Sequence, residues 1–494
     1  MLSKNKYDNY CWLTIGLFSL FRIIISAIIQ PGFDESYYGL YSYHLAPGYF
    51  DHPPLVAFSA GFGRFITGIT SPLTLRLGAI LLFIGTLVLL YKLTSQIFNK
   101  KTGLIAVVLA NLIPYFSVGL GAFVIPDNFL GFFWLASLFA FYRIIKKEDK
   151  KYFFVLGLTG GLAFLSKYHA VLLIFSLFLA LLLIKENRKW LKTPYPYLSF
   201  IIAIILFLPN IIWNYQNDWI SYTYQFGKSA EGFKFSGLLF FQGIMVQMGY
   251  LLPWHMFILI ASIVWSWKKK DRDYAWLLPV AIVPIIVFTI IGGTRKILPH
   301  WPMPGYLAAI ILSAGKIKEW KAKNINRYLS ITGLITIVLI SLLTIQAEYG
   351  ILNLRPKGDV TLDGQGWKKL GKYLTKEKLL NEDSFLFTRK WFLSGELAYA
   401  LENRYPVTVF NHNSSHSFSF WVNHKNLKGQ DGIFISTNRY KTDPLKKYSQ
   451  YFSHIEKIHS LQTYRHGQKA KTFYIWLCKD YQGNFPFAYG DSFE

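Results

Sequence analysis

Long apolar segments recur through the first two thirds of the chain, and they restrict what it can fold into more than any other feature does. Runs such as Ala79–Leu90 and Val171–Ile184 approach the ~20 apolar residues that a helix needs to cross a hydrocarbon core of ~30 Å. Only 16% of the 494 residues are charged, whereas 52% are hydrophobic. The chain has several such runs, so they predict a bundle of membrane helices and not a signal peptide followed by a globular domain.

The apolar runs predict eleven spans, and so a polytopic α-helical membrane protein. The spans lie near residues 10–29, 73–92, 103–121, 127–143, 152–166, 168–184, 197–213, 236–266, 274–291, 300–314 and 329–346. The stretch 152–184 is too long for one crossing and has basic clusters at both ends, so it predicts a helical hairpin. Its tip falls at Ser166-Lys167-Tyr168-His169, and a single kinked helix is the alternative.

Lys and Arg cluster on alternate loops between these spans, which predicts the orientation of the chain. The clusters are Lys4/Lys6, Lys100/Lys101, Arg143–Lys151, Lys185–Lys192, Lys268–Arg272 and Lys316–Arg327. By the positive-inside rule these loops are cytoplasmic, so the N-terminus lies inside and, after an odd number of spans, the tail lies outside. The formal net charge of +25 therefore reflects membrane orientation, and we do not expect nucleic acid as a partner.

The residues after the last span have a different character. Short β-rich runs alternate with helix-like stretches there. The runs are Ser384–Thr388, Pro406–Phe410, Gly432–Ser436 and Thr472–Cys478, and the helix-like stretches are Trp367–Leu374 and Ser394–Leu401. The pattern predicts a transmembrane domain over residues 1–348, with a functional outer loop at 30–72, followed by an outer α/β domain over 349–494.

Two adjacent carboxylates, Asp34 and Glu35, open the first outer loop directly after the first span. Charged groups at that depth are costly unless they face a polar cavity or a partner. A carboxylate so placed suits a general base that takes a proton from an attacking hydroxyl. Acidic residues also suit the N-terminus of a surface helix, and the motif alone favours neither interpretation.

Aromatic residues and a proline pair follow in the same loop. Tyr38 is one of several aromatics that suit either an interfacial anchor or stacking on a sugar ring. In Asp51-His52-Pro53-Pro54 the prolines restrict the backbone and hold the Asp and His in a set direction. This pair, together with His300, is the candidate set for a divalent cation, although no cofactor is required by the pattern.

Further polar residues fall at the outer ends of other spans. Asp127 places another carboxylate at an outward-facing helix start, and Lys167 is an intramembrane cation, which is by default a functional candidate. Arg295 and Lys296 precede His300-Trp301, and they suit either a bound phosphate or lipid headgroups. Carboxylates, cations and aromatics on one face describe a site for a sugar phosphate. Since no nucleotide-binding motif occurs on a suitable element, we expect a lipid-borne donor.

Several of these motifs, in this order, resemble the GT-C superfamily of glycosyltransferases. They are Asp34-Glu35, Pro126-Asp127, Leu165-Ser166-Lys167-Tyr168, Trp213-Asn214 with Asp218-Trp219-Ile220-Ser221, and Pro299-His300-Trp301-Pro302. The resemblance covers roughly residues 10–310 and is greatest to the branch with protein O-mannosyltransferases and the aminoarabinose-to-lipid-A transferase. An outer α/β domain after the last span also fits that family.

The resemblance implies an inverting transfer from a polyprenyl-phosphate sugar to an envelope acceptor, lipid A or lipopolysaccharide first, at the periplasmic face of a bacterial inner membrane. It implies catalytic roles for Asp34, Glu35 and Asp127. Contacts to the donor phosphate are implied for Lys167, Tyr168, Arg295 and Lys296, and contacts to substrate for Tyr38, Asp51, His52, His300 and Trp301. Membrane lipids are the remaining partners. The aminoarabinose enzyme has a Lys in the stretch that matches 51–54, so the identity of the sugar stays open.

Two other functions remain open at this stage. One is a protein O-mannosyltransferase-like enzyme, and the other is a transporter or flippase for a lipid-linked sugar. Transporters are typically built from two related halves with interrupted helices, and the sequence has no such symmetry. A membrane scaffold is a third alternative, but it leaves the outer-edge motifs unexplained.

Overall fold

The computed structural model describes residues 6–227, 234–352, 354, 358–381, 384–412 and 416–487, so Lys4 of the first basic cluster lies outside it. The described residues form two compact units. The bundle unit takes those within 1–25, 52–59 and 76–340, and the sheet unit takes those within 26–51, 60–75 and 341–494.

The helices follow the apolar runs of the sequence. They are α1 (Lys6–Ile28), α2 (Phe33–Tyr41), α3 (Leu55–Thr67), α4 (Pro72–Ile97), α5 (Lys100–Leu112), α6 (Asp127–Lys147), α7 (Tyr152–Ser166), α8 (Val171–Leu183), α9 (Tyr195–Gln216), α10 (Ile220–Gly227), α11 (Gly237–Leu251), α12 (Pro253–Lys269), α13 (Leu277–Gly292), α14 (Met303–Ile317), α15 (Ala322–Tyr349), α16 (Trp367–Lys376), α17 (Trp391–Ala400), α18 (Phe418–Trp421) and α19 (Pro444–Tyr448). A π-helix at Tyr115–Leu120 follows α5.

Five helices among the described residues are long and apolar enough to cross a membrane, namely α1, α4, α6, α9 and α15. The number rises to seven if each of two bent helix pairs counts as one span. Four shorter apolar helices, α3, α7, α13 and α14, accompany them. The predicted class, a polytopic helical membrane protein, is confirmed, but the predicted count of eleven spans is not.

Helical structure is interrupted between α7 and α8, at the position predicted for the hairpin tip. Lys167 has an extended backbone there (φ −162°, ψ 137°), and a short 3₁₀ turn at Tyr168–Ala170 leads into α8. The two helices pack mainly on different neighbours, α7 on α6 and α9, and α8 on α13. The break therefore separates two packing layers of the bundle.

The stretch 236–266, predicted as one span, consists of two helices. α11 and α12 meet at Leu252-Pro253 and are bent by 104°. Proline cannot donate its backbone N–H and it disfavours helical backbone in the residue before it. Leu252 accordingly has φ 67° and ψ 138°, which no helix tolerates.

Glycines allow α7 and α9 to approach closely. A Cβ at Gly157 would lie 2.7 Å from the carbonyl oxygen of Ser199, and one at Gly161 would lie 3.0 Å from that of Ala203. Small residues four apart on a membrane helix commonly permit such backbone contact. Gly160, on the same helix, faces open space, since a Cβ there would have no atom of the described residues within 4 Å.

The sheet unit contains a five-stranded sheet. Its strands are β1 (Ser384–Thr388), β2 (Val407–Val409), β3 (Asp431–Thr437), β4 (Phe452–Arg465) and β5 (Gln468–Tyr481), in the order β2-β1-β3-β5-β4. β1 is parallel to β2 and β3, whereas β5 is antiparallel to β3 and β4. The predicted α/β class is confirmed. Sequence analysis missed β4, an edge strand whose largely exposed side chains lack an apolar pattern.

Much of the first outer loop belongs to the sheet unit. α2 packs against α17, and a Cβ at Gly395 of α17 would lie 3.4 Å from Cβ of Tyr37. Sequence analysis divided the chain once, near residue 348. The structure instead groups residues 26–51 and 60–75 with the C-terminal residues, because α2 finds its packing partner there.

We expect Gly157→Ala to lower the thermal stability of the detergent-purified chain, because its new methyl group would press on a backbone oxygen of α9. Overpacking of this kind typically costs about 1–3 kcal/mol. The control is Gly160→Ala on the same helix, which should be neutral or slightly stabilising since alanine is the better helix former. Equal melting temperatures for the two variants would contradict the close α7–α9 contact.

Candidate active site

Asp127 stands at the first residue of α6, where a carboxylate is favoured by the helix dipole. Its neighbour Asn128 shapes the turn before the helix. The Asn128 side chain donates to the carbonyl oxygens of Leu120 (2.8 Å) and Phe123 (3.0 Å) and accepts from the N–H of Ile125 (2.9 Å). These bonds hold the helix start, and therefore Asp127, in a set position.

Lys167 forms a buried ion pair with Asp127, as the break after α7 lets its side chain turn inward. The Lys167 Nζ to Asp127 Oδ2 distance is 2.7 Å, and the two side chains are 5% and 3% exposed. The second oxygen, Asp127 Oδ1, is buried and has no hydrogen-bond partner among the described residues. One acceptor atom is thus left open beside a fixed positive charge.

Histidines from two other segments, His52 and His300, lie near this pair, and a third, His169, follows Lys167 by two residues. His300 Nε2 lies 3.9 Å from Asp127 Oδ2, and the His300 ring stacks on Tyr115. Burial and the charge of Lys167 lower the pKa of His52 to about 3 and that of His300 to about 4. Both rings are therefore neutral at neutral pH, and a neutral imidazole carries one N–H donor.

His169 completes the group, and sequence analysis assigned it no role beyond the hairpin tip. Its ring contacts Phe288 (4.6 Å between centroids) and Trp301 (5.2 Å), and its Nδ1 is buried without a hydrogen-bond partner among the described residues. A signal existed, because His169 directly follows Lys167-Tyr168 in a strongly apolar stretch. One ammonium, neutral imidazoles and an open carboxylate oxygen suit the binding of a phosphate and a hydroxyl.

The described residues contain no group of three or more His, Cys, Asp or Glu side chains that suits a metal ion, Asp51, His52 and His300 included. Asp51 accepts a hydrogen bond from the Tyr41 hydroxyl.

The other predicted phosphate contacts lie apart from this cluster. Tyr168 Oη is 3.5 Å from Asn210 Oδ1 of α9. Arg295 is half-buried after α13, and the exposed Lys296 lines a groove with residues of α11 such as Gln242 and Met245. Among the described residues, no hydrogen bond or ion pair joins Arg295 or Lys296 to Asp127.

Asp34 is the exposed acidic residue of α2. The Asp34 side chain remains accessible to solvent, but many protein atoms lie close to its carboxyl group and reduce its hydration. Burial, and then the charge of Glu35, raise the pKa of Asp34. Glu35 itself has a structural contact, since its Oε2 accepts from the N–H of Gly32 (3.3 Å), the residue that precedes α2. Of the two carboxylates, Asp34 is the one available to a ligand.

The tyrosines of α2 are buried in an aromatic cluster of the sheet unit. The Tyr37 ring lies 4.9 Å from Trp391, Tyr38 is only 7% exposed, and Tyr41 stacks on Tyr49 at 3.8 Å. The Tyr37 hydroxyl accepts from the N–H of Ser417 (2.7 Å). These contacts favour a packing role over that of an interfacial anchor, and they hold Asp34 on a rigid helix.

Glu396 is a buried acid that sequence analysis did not single out. It lies on α17 at 2% exposure, near Lys471 and near Ser36 and Glu35 of α2. Burial raises its pKa well above the usual value, and burial also lowers the pKa of Lys471 to about 8. A signal was available, since Glu396 is the lone charge in an otherwise apolar helix. Its contacts place it under the helix that carries Asp34.

The chain is similar to several known transferases. A family model described as dolichyl-phosphate-mannose-protein mannosyltransferase matches residues 51–213. A lipid A galacturonosyltransferase, RgtD, of Rhizobium johnstonii is 25% identical over 384 residues, which cover 75% of this chain and 76% of the relative. The undecaprenyl phosphate-alpha-4-amino-4-deoxy-L-arabinose arabinosyl transferase of Yersinia pestis is 22% identical over 306 residues, which cover 59% and 53%.

Solved structures share the fold. Apo ArnT from Cupriavidus metallidurans superposes with a TM-score of 0.65 at 12% identity, covering 95% of this chain and 98% of that one. The same protein bound to undecaprenyl phosphate gives 0.64 at 13% identity, covering 94% and 98%. The resemblance to the GT-C superfamily predicted from the motifs is confirmed.

We expect Lys167→Met or Asp127→Asn alone to destabilise the purified chain strongly, because each leaves a buried group without its partner. The cost of breaking a buried pair is roughly 3–5 kcal/mol. The double variant should lose much less than the sum of the single losses, as measured by denaturant unfolding in micelles.

The matched control is the exposed pair of Lys146 and Asp273, whose side chains are 24% and 68% exposed at a distance of 2.9 Å. Its disruption should cost less than about 1 kcal/mol. Strictly additive losses at Lys167 and Asp127 would mean that their contact does not stabilise the fold.

Proposed function

We propose that this GT-C glycosyltransferase moves a sugar from a polyprenyl-phosphate carrier to lipid A or lipopolysaccharide at the periplasmic face of the bacterial inner membrane. Two relatives support the acceptor and donor. One is a lipid A galacturonosyltransferase, and the other uses an undecaprenyl-phosphate sugar. The proposed orientation, with the N-terminus cytoplasmic and the sheet unit periplasmic, follows from the alternation of basic loops.

The observation that carries the proposal is the buried Lys167–Asp127 pair with its open carboxylate oxygen. A lipid-linked donor presents a phosphate that becomes more negative as its bond to the sugar breaks. A fixed ammonium and neutral imidazole donors stabilise that charge in a site of low dielectric. Asp127 holds Lys167 in place, and its Oδ1 accepts a hydrogen bond from a donor hydroxyl.

The reaction is a single displacement at the anomeric carbon. An acceptor oxygen attacks that carbon, the bond from the carbon to the carrier phosphate oxygen breaks, and the carrier phosphate leaves with the electron pair. The acceptor proton passes to the carboxylate of Asp34. Attack opposite the leaving group inverts the anomeric configuration. If the acceptor is already an ionised phosphate, Asp34 orients it without taking a proton.

The remaining residues have supporting roles in this proposal. Glu35 caps the helix of Asp34 and raises its pKa. Arg295, Lys296 and Tyr168 contact the carrier beside its phosphate, and Asp51, His52, His300 and Trp301 line the substrate sites. A protein acceptor is the second candidate, favoured by the match of residues 51–213 to a protein mannosyltransferase family.

We expect Asp34→Asn to abolish transfer to a hydroxyl acceptor and to weaken it less with a phosphate acceptor. The test is mass spectrometry of lipid A and lipid-linked sugars from a deletion strain complemented with the native chain or with Asp34→Asn. Loss of one sugar mass from lipid A, with accumulation of a lipid-linked sugar, supports the proposal. Lipid A unchanged by the deletion rules out that acceptor, and full complementation by Asp34→Asn excludes Asp34 as the base.

We expect the rate to fall as the pH drops through the pKa of Asp34, because a base acts only when it is deprotonated. Since burial and Glu35 raise that pKa, the fall should begin at a higher pH than for a free carboxyl group. Glu35→Gln removes the like charge but keeps an acceptor for the helix cap, so it should shift the acidic limb to lower pH. An unmoved limb in a pH–rate profile would assign the titration to another group.

A further inference from the structure

The parallel part of the sheet has a carboxyl edge that the reaction above does not use. β1 lies between β2 and β3, so the chain leaves β1 towards one side and returns on the other. In open α/β sheets ligands bind outside the carboxyl ends of the strands at such a switch point. Arg389 follows β1 directly, and Asn411 and Arg439 are the second residues after β2 and β3.

Two cations at this edge, Arg389 and Lys447, lack counter-charges within the described part of the chain. Arg389 follows β1 directly and is half-buried, and its Nε is buried with no hydrogen-bond partner among the described residues. Lys447, on α19, is also half-buried, and neither side chain forms an ion pair with another described residue. A buried donor without a partner needs an explanation, and a bound anion is one.

The two cations influence each other. Burial and then the charge of Arg389 lower the pKa of Lys447, so the like charges are close enough to repel. By contrast, Arg439 at the end of β3 pairs with Asp363. The positive charges available to an anion at this edge are therefore those of Arg389 and Lys447.

The backbone around the pair is firmly held. The Phe410 N–H donates to Thr388 O (2.9 Å), and the Tyr448 hydroxyl donates to Phe410 O (2.8 Å). The side-chain amide of Asn411 donates to Arg389 O (3.3 Å). These bonds tie the ends of β1 and β2 to the residue that follows Lys447, so the cations stand on rigid elements.

The pair also lies at the start of the helix that supports the candidate base. Lys390 is the residue that precedes α17, and the next residue, Trp391, contacts Tyr37 of α2. The residues from Arg389 to Asp34 thus belong to one packed arrangement of α17 on α2. A group bound at Arg389 would be held on the same scaffold as Asp34.

We propose that Arg389 and Lys447 bind a phosphate group of the acceptor glycolipid. The guanidinium is suited to a bidentate contact and the ammonium to a point contact. A phosphate monoester carries about −1.5 to −2 charges at neutral pH, which matches two cations. This assignment rests on the proposed function, because it takes a phosphorylated lipid A as the acceptor.

The test compares binding of two glycolipids to the full chain in nanodiscs, lipid A and enzymatically dephosphorylated lipid A. The variants are Arg389→Gln, Lys447→Gln and the double variant. We expect the native chain to prefer lipid A, and each substitution to weaken that binding about ten-fold, as for the loss of a charge-assisted hydrogen bond. Binding of the dephosphorylated form should stay unchanged. The control is Lys446→Gln, an exposed lysine on the same short helix.

Competition distinguishes the sources of the phosphate. Inorganic phosphate should displace lipid A weakly, whereas phosphatidylglycerol vesicles should not displace it at equal phosphate concentration. Equal displacement by phosphatidylglycerol would reassign the pair to membrane headgroups and overturn the proposal, as would equal binding of both glycolipids by the native chain. If the variants bind lipid A normally and lipid A is still modified in cells, Arg389 and Lys447 do not form the binding site, but the proposed function stands. Phosphate-dependent binding without any modification of lipid A would keep this site and exclude the proposed function.

Discussion

Lys167 is a charge placed within an apolar bundle, and much of the bundle unit is arranged around its neutralisation. An isolated ammonium in such surroundings is very costly, so it requires a counter-charge at hydrogen-bond distance. Asp127 meets that need at 2.7 Å. The requirement accounts for the extended backbone at Lys167, and for the helix start that Asn128 holds in position.

A second buried cation is stabilised by hydrogen bonds to uncharged oxygen atoms and not by an acidic side chain. Arg22 of α1 is fully buried and pairs with no acid among the described residues. It donates instead to the carbonyl oxygen of Ser117 at 2.7 Å and to the side chain of Asn111. Ser117 lies in the π-helix at Tyr115–Leu120. Gly121 is required beside it, since a Cβ there would lie 2.5 Å from the Arg22 Nε. An irregular helix at membrane depth is thus tolerated because its oxygen is used inside the protein.

The sheet unit also contains buried ionisable side chains. Glu396 and Lys471 are buried beneath α2, and the burial of each disfavours its charged form. Arg465 and Asp359 form another buried pair at 2.7 Å. Arg389 and Lys447 differ from these groups, because neither has an ion-pair partner among the residues that the structure describes.

The sequence by itself determined the class of the protein, since apolar length and the placement of Lys and Arg are properties of contiguous residues. It located most of the long apolar helices and four of the five strands, and it named Asp34, Asp127 and Lys167 as candidate site residues. It did not reveal the break at Pro253 or the edge strand β4, whose exposed pattern is weak. Only the tertiary structure decided which charges meet. Asp127 and Lys167 are 40 residues apart, and His52 and His300 come from two further segments. Such contacts depend on how helices pack, which no local pattern encodes.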